Sequence, residues 1–317
     1  MTSFDEGAAA RAHDRQNSLT KPPGSLGRLE DLAIFLAGWQ RRDRPRLDHA
    51  QALVFAGNHG IVAQGVNPFP AEVTALMVQN FHQGGAAINQ LCAVAGAALT
   101  VVPLSLDQPT ADFTQGPAMT ADEVASAMQA GADAVDPTAD VLLLGEMGIG
   151  NSTVAAALAA ASFGGDGRDW VGPGTGAEGE VLSAKIRAVG AGLARHSPDD
   201  TRGTLAAFGG REQAAICGAV LRARELGVPV ILDGFICTAA AAVLTRDDPQ
   251  ALDHCLIGHE SAEPGHRRLI AALGAQPILS LDMRLGEGSG AAVALMVLRG
   301  AVACHNGMAT FAEAGFG

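Results

Sequence analysis

The sequence has little of what several function classes require. No stretch approaches the ~20 consecutive apolar residues of a membrane-spanning helix, and the opening MTSFDEGAAARAHDR lacks the apolar core of a secretory signal. A cytoplasmic location, with no membrane partner, is the expectation. Charged residues make up only 17% of the 317, and they are unbalanced, with 21 Lys and Arg against 33 Asp and Glu for a net charge of -12. Reading a phosphate backbone takes a clustered basic surface, and none stands out, so no nucleic-acid partner is expected. An anionic ligand must then be met by local donors. The five cysteines, Cys92, Cys217, Cys237, Cys255 and Cys304, are odd in number and contain no CxxC pair, which argues against zinc-ribbon and dithiol chemistry and leaves them as small core residues.

What is present is apolar and glycine-rich: 48% hydrophobic residues and 40 glycines. Short β-type runs at Leu53–Gly57, Val141–Gly145, Val228–Asp233 and Ile278–Asp282 are followed by long Ala-rich stretches, and weaker runs occur at Leu99–Pro103, Leu205–Phe208 and Cys255–Gly258. Their near-continuous apolar character suits parallel strands covered on both faces. Helices are expected at Leu26–Trp39, Ala71–Ala95, Ala121–Ala134, Ser152–Ala161, Glu178–Arg195, Arg211–Leu226, Ile236–Leu244, Ala262–Leu273 and Ser289–His305. The predicted fold class is therefore α/β, a doubly wound, mostly parallel sheet with a smaller helical domain from the chain ends. Residues 1–49 and the C-terminal helix and tail, 291–317, would form that smaller unit against a substrate-binding domain spanning 50–290.

In an open α/β sheet the ligand crevice lies beyond the carboxyl ends of the strands. The residues there are polar or glycine: Asn58-His59-Gly60, Glu146-Met147-Gly148, Gly209-Gly210-Arg211, Gly234-Phe235, His259-Glu260-Ser261 and Met283-Arg284-Leu285-Gly286-Glu287. Gly145–Ser152 has the spacing of a phosphate loop, but Asn151 stands where its lysine belongs, so a triphosphate site is not expected. What survives is a strand, a glycine turn and a helix whose amides can face a monophosphate or a polar ring. The second glycine cluster, Gly172–Gly179, follows no convincing strand, and Lys185 comes two turns into the helix behind it. That lysine sits either on a solvated face or within reach of a substrate phosphate. His254, His259 and His266, with Glu260 and Glu263, match no zinc spacing, and Pro264 interrupts the helix that would align them; the stretch reads as a polar loop with one or two ligand contacts and no metal. Near the end, Glu287 stands among Gly286, Gly288 and Gly290 directly before an apolar helix. It either complements the positive helix end or serves as a base, its affinity for a proton raised by an apolar surround.

Taken in order, Lys21–Glu30, Phe55–Gly60, Gly145–Asn151, Gly209–Glu212, Leu232–Phe235, Gly258–Ser261 and Leu285–Gly290 resemble one family, the nicotinate-nucleotide:dimethylbenzimidazole phosphoribosyltransferases, which prepare the lower-ligand nucleotide of cobamides. Each segment is weak alone; the ordered set, from Lys21 to Gly315, is specific. The resemblance implies transfer of phosphoribose from nicotinate mononucleotide to a benzimidazole, giving the α-ribazole phosphate and nicotinate, in a homodimer with sites near the subunit interface. It implies Glu287 as general base and Glu146 as the second carboxylate at the base-binding site. Lys185, Ser261 and the amides around Gly286 would contact the phosphoribosyl group, and Met147, Gly148, Asp233, Leu285 and Gly288 would complete the substrate-binding set. Because nicotinate leaves from a pyridinium, no metal or other cofactor is needed to draw it off. Two other classes fit the fold. A nucleotide-linked oxidoreductase is disfavoured by defective glycine fingerprints and the missing acidic ribose ligand, and a non-catalytic binding protein would release no nicotinate. Phe69–Gln79 and Met147 are candidates for the slot that selects the acceptor base, where a methyl group discriminates by only ~1–3 kcal/mol.

Overall fold

The computed structural model describes residues 2–174 and 176–315. Five strands, β1 (Ala50–Ala56), β2 (Ala97–Pro103), β3 (Val141–Met147), β4 (Val230–Leu232) and β5 (Cys255–Ile257), pair in parallel in the order β2-β1-β3-β4-β5. Side chains alternate along them. Leu53, Phe55, Leu142, Leu144, Val230 and Leu232 enter one core layer, whereas Ala52, Val54, Val141, Leu143 and Ile231 enter the other. This is why the strands carry no polar face, and it confirms the doubly wound α/β reading.

One layer is built by α1 (Glu6–Ser18) and α2 (Arg28–Gln40) with α3 (Glu72–His82), α4 (Ala87–Ala95) and the C-terminal helix. The other is built by α5 (Ala121–Asp133), α6 (Asn151–Phe163), α7 (Gly167–Trp170), α8 (Gly179–Arg195), α9 (Thr201–Phe208), α10 (Arg211–Leu226), α11 (Phe235–Ala242) and α12 (Pro264–Ala272). A two-stranded ribbon, β6 (His259–Glu260) with β7 (Leu279–Ser280), leads into the C-terminal helix α13 (Ser289–Gly307). Leu295 and Leu298 of α13 pack toward Val141, Leu143 and Ile231 of the sheet. Its far end is tied to α1: Gln16 donates to His305 Nδ1 at 2.9 Å, Arg15 Nε donates to the His305 carbonyl at 2.7 Å, and His305 Nε2 donates to the Asp43 carbonyl at 2.9 Å. Burial lowers the proton affinity of that imidazole.

The α5–α10 crossing is set by two glycines. A Cβ on Gly131 would overlap the Ala215 carbonyl, and one on Gly218 would overlap the Met128 carbonyl. The helices thus meet backbone to backbone. Gly218→Ala should lower stability by about 1–3 kcal/mol, the usual cost of overpacking, and thermal unfolding will read this as a fall of several degrees. An unchanged melting temperature would show that the helices can part without cost.

Several expectations need correction. Leu205–Phe208 is not a strand but the last turn of α9, capped by Asp200, whose side chain accepts from Gly203 N at 2.6 Å; a four-residue apolar run carries no periodicity to tell the two apart. Ala71–Ala95 is two helices, parted at Gly84, whose φ of +77° suits glycine. Ile278–Asp282 shrinks to β7, outside the main sheet. Helix α1 was not anticipated, because its buried face is mostly alanine, Ala8, Ala9 and Ala12. Of the cysteines, Cys92, Cys217 and Cys237 are buried as expected, whereas Cys255 and Cys304 are only half-buried. A basic cluster does exist, Arg41, Arg42, Arg44 and Arg46 after α2, with Asp43 in its midst.

Candidate active site

The strand order reverses between β1 and β3, and there a cleft opens, at the carboxyl ends of the strands. One wall is the β3 end and the start of α6, from Glu146 to Ser152. Another is Asp233–Ile236 at the start of α11, and the third is Arg284-Leu285-Gly286 before α13. Two helix N-termini, α6 and α11, therefore face the same space.

Four acidic side chains converge behind it. Glu146 is buried, and Asn151 donates to its Oε2. Burial, with Asp233, Glu212 and Glu287 adding negative charge, pushes its carboxyl up to about 8, so Glu146 is a neutral acid at neutral pH. Asp233 follows β4 and accepts from Gly288 N at 3.1 Å and Ala291 N at 2.9 Å, which fastens the start of α13 to the sheet. Its proton affinity is raised by burial and opposed by His259, 3.8 Å away, and by those amides. Glu287 is 6% exposed and sits at φ +64°, between Gly286 at +86° and Gly288 at +85°. A non-glycine residue held in this left-handed region is the kind of strain that persists where surroundings enforce it. Burial raises its carboxyl above the ordinary range, against the Ile88 N–H at the start of α4, and Asp233 adds to the rise. Its Oε2 has no hydrogen-bonding partner among the described residues.

Two cations, Lys185 and Arg284, gather around the turn at residues 172–174. Lys185 is not on a solvated helix face: it is 1% exposed, and its Nζ donates to the Gly172 carbonyl at 2.7 Å and to Ser152 Oγ at 3.0 Å. Burial lowers its ammonium to about 8, with Glu263 opposing. Glu263 in turn accepts from Gly174 N at 2.8 Å, so lysine and glutamate hold the 172–174 turn between them. Within the glycine cluster Thr175 lies outside the described residues. Arg284 is the exposed cation at the mouth, its guanidinium on the Gly174 carbonyl at 3.0 Å. Ser261 donates its N–H to His266 Nδ1 at 3.0 Å, and its hydroxyl lies 3.1 Å from the same atom. This fixes the tautomer: His266 Nε2 carries the hydrogen and donates to Thr238 Oγ1 at 3.2 Å. Burial lowers His266 to about 3, so the ring is neutral.

Of the residues singled out in the sequence, Glu146, Met147, Gly148, Asp233, Ser261, Leu285 and Gly286 line the cleft. Glu287, Gly288 and Lys185 are not in that lining but border it: Glu287 directly follows Gly286, Gly288 donates to Asp233 and Lys185 donates to Ser152. Sequence reasoning missed Asn151 as a partner of Glu146, Ser152 as a partner of Lys185, and Arg284 as the exposed cation. The phosphate-loop mismatch at Asn151 was the available signal, since an amide there must serve something else. His259 and Glu263 also line the cleft, whereas His254 is buried elsewhere, its Nε2 donating to the Val220 carbonyl at 3.0 Å. Among the described residues no cluster of His, Cys, Asp or Glu has the geometry of a metal site.

A family model described as phosphoribosyltransferase matches residues 1–316. The chain is 61% identical over 311 residues, 98% of its length and 93% of the relative's, to a nicotinate-nucleotide–dimethylbenzimidazole phosphoribosyltransferase of Rhodobacter capsulatus. It is 57% identical to the one from Mesorhizobium japonicum, covering 97% of this chain and 92% of that one. The crystal structure of the same-named protein of Thermus thermophilus superposes with a TM-score of 0.92 at 42% identity, over 99% of both chains.

Proposed function

The chain belongs to the nicotinate-nucleotide–dimethylbenzimidazole phosphoribosyltransferase family, and we propose that its cleft moves phosphoribose from nicotinate mononucleotide to 5,6-dimethylbenzimidazole or a related base. The products are α-ribazole 5′-phosphate and nicotinate, a step in building the cobalamin nucleotide loop. The observation that carries this reading is the pairing of two carboxyl groups with raised proton affinity at a cleft bordered also by Lys185 and Arg284. The nucleotide phosphate belongs beside the two cations and the azole beside the two carboxyl groups.

In this arrangement Glu287 takes the azole N–H proton while the other ring nitrogen attacks C1′. The C1′–N bond to nicotinate breaks, and its electron pair neutralises the pyridinium. Attack from the face opposite the leaving group converts the β configuration to α. A base with raised proton affinity suits removal of an azole proton near neutral pH. Neutral Glu146 lets an apolar aromatic base approach without burying an anion against it, which would be costly. Alignment of both substrates supplies much of the acceleration, as it does when a bimolecular step is made effectively unimolecular. The test is release of nicotinate from the mononucleotide, dependent on added azole; no release would refute the reading.

The pH dependence follows with a defined sign. Glu146 is protonated below about 8 and charged above it. For the azole, kcat/KM should therefore fall as pH rises through about 8, and Glu146→Gln should remove that limb. A limb that persists unchanged in Glu146→Gln belongs to another group.

The cytoplasmic homodimer is part of the same proposal. Among the described residues no helix is long and apolar enough to cross a membrane, and Phe69, Leu76 and Val94 expose apolar surface around α3 and α4 suited to a second copy. Sedimentation measures the state directly.

A further inference from the structure

His59 and Glu212 form a second buried polar group that the transfer chemistry leaves unused. His59 follows β1, and Glu212 lies in the first turn of α10. His59 Nε2 is 2.8 Å from Glu212 Oε1, and both side chains are wholly buried. Among the described residues neither ring nitrogen and neither carboxylate oxygen has a partner in hydrogen-bonding geometry, so the pair is held by proximity and charge. Burying such a pair is costly unless its geometry is closely held.

The backbone makes room for it with three glycines from three loops. A Cβ on Gly57 would overlap Glu212 Oε2, and one on Gly210 would overlap the His59 ring. A Cβ on Gly148 would come within 2.9 Å of His59 Nε2. None of the three has a left-handed φ, so backbone conformation does not require glycine at these positions; space for the pair does at Gly57 and Gly210, and at Gly148 the Gly57 carbonyl and His59 do together. Gly148 is also where the pair meets the cleft. Asn151 N donates to the Gly148 carbonyl at 3.1 Å, and the Asn151 side chain donates to Glu146. A displacement of His59 therefore reaches Glu146 through one turn of backbone.

We propose that His59 and Glu212 are positioning residues, which through the Gly148–Asn151 turn fix the aim of Glu146 in the cleft. The inference rests on the phosphoribosyl-transfer reading. Charge works in the same direction. Glu146 is faced by Asp233 after β4, by Glu212 on α10 and by Glu287 before α13, with Asn151 of α6 donating to it, His59 across Gly148 and His259 beside Asp233. Glu212 is thus one of the anions that keep Glu146 protonated.

Two variants separate this role from mere stability. Glu212→Gln keeps the volume and removes the charge. Gly210→Ala pushes first on the side chains of His59, Gln213 and Glu212, the three nearest to its new Cβ, and position 210 is not in the cleft lining. Wild type is assayed first with nicotinate mononucleotide and dimethylbenzimidazole; if it releases no nicotinate, the function reading fails, not this inference. With an active wild type, both variants should lower kcat by about tenfold to a hundredfold, the range expected when a reacting group is misplaced, with KM for the mononucleotide little changed. In Glu212→Gln the alkaline limb of kcat/KM for the azole should also move to lower pH, because an anion near Glu146 is gone. If Glu212→Gln does not fold, kcat of Gly210→Ala decides. A folded variant with wild-type kcat and an unmoved limb overturns the proposal. So does a loss in which both KM values rise with falling thermal stability while the limb stays in place, since that is the signature of a structural role alone.

Discussion

Glu287→Gln should lower kcat by at least ~10², the lower end for loss of a general base, while leaving thermal unfolding and mononucleotide binding near wild type. The substitution is isosteric, and the main-chain setting argues that it will be tolerated. Gly286 and Gly288 flank position 287, all three have φ between 64° and 86°, and the loop is fastened from outside by Asp233 to Gly288 N and Ala291 N. Glutamine keeps an oxygen to accept the Ile88 N–H but cannot take up a proton. The effect should therefore fall on turnover, not on assembly. A further consequence concerns Glu146, whose proton affinity is raised in part by the Glu287 charge. Removing that charge should shift the alkaline limb of kcat/KM for the azole to lower pH. Turnover within a few-fold of wild type would take Glu287 out of the role of base.

How far the sequence could be read depended on whether a signal was local. The strands that bear the site were legible because β1 and β3 are buried on both faces and so are apolar except at Gln51 and Glu146. Glu287 was legible because its glycines are adjacent in the chain. The α10 boundaries, Arg211–Leu226, matched, since, Gly218 apart, helix-forming residues run up to Gly227, which takes the left-handed C-cap. What stayed hidden is what tertiary contact decides. Lys185 looks like any lysine on a helix until the 172–174 turn folds over it, and Asn151 acquires a purpose only when Glu146 is known to be buried beside it. Leu205–Phe208 carried too few residues to show its period. The His59–Glu212 pair brings together side chains 153 positions apart by number, joined by no local pattern.

Lys185→Met should weaken nicotinate mononucleotide by roughly 1.5–3 kcal/mol, or about tenfold to a hundredfold and more, the cost of losing a hydrogen bond to a charged group. The side chain has two anchored donors, on Gly172 and Ser152, so its third N–H and its charge remain for a ligand lying against Ser152. Two routes to weaker binding must be told apart. If Lys185 reads the phosphate, the mononucleotide should suffer and the dephosphorylated nucleoside should not. If it only holds the turn against Glu263, both ligands should weaken together, because Gly174 and Arg284 move with the turn. The proton on Lys185 supplies an independent check. Burial has brought that ammonium down to about 8, so it is charged below that pH and neutral above it, whereas guanidinium groups do not titrate in this range. In wild type, the preference for mononucleotide over nucleoside should shrink as pH rises through about 8, and in Lys185→Met it should be small and flat across the same range. Arg284→Ala should lower the preference by a constant factor without altering its pH dependence. Calorimetric titration of both ligands at several pH values measures all of this. A preference in wild type that does not change across pH 8 would mean that the phosphate is held by fixed donors, the helix amides and Arg284, and that Lys185 serves the turn alone.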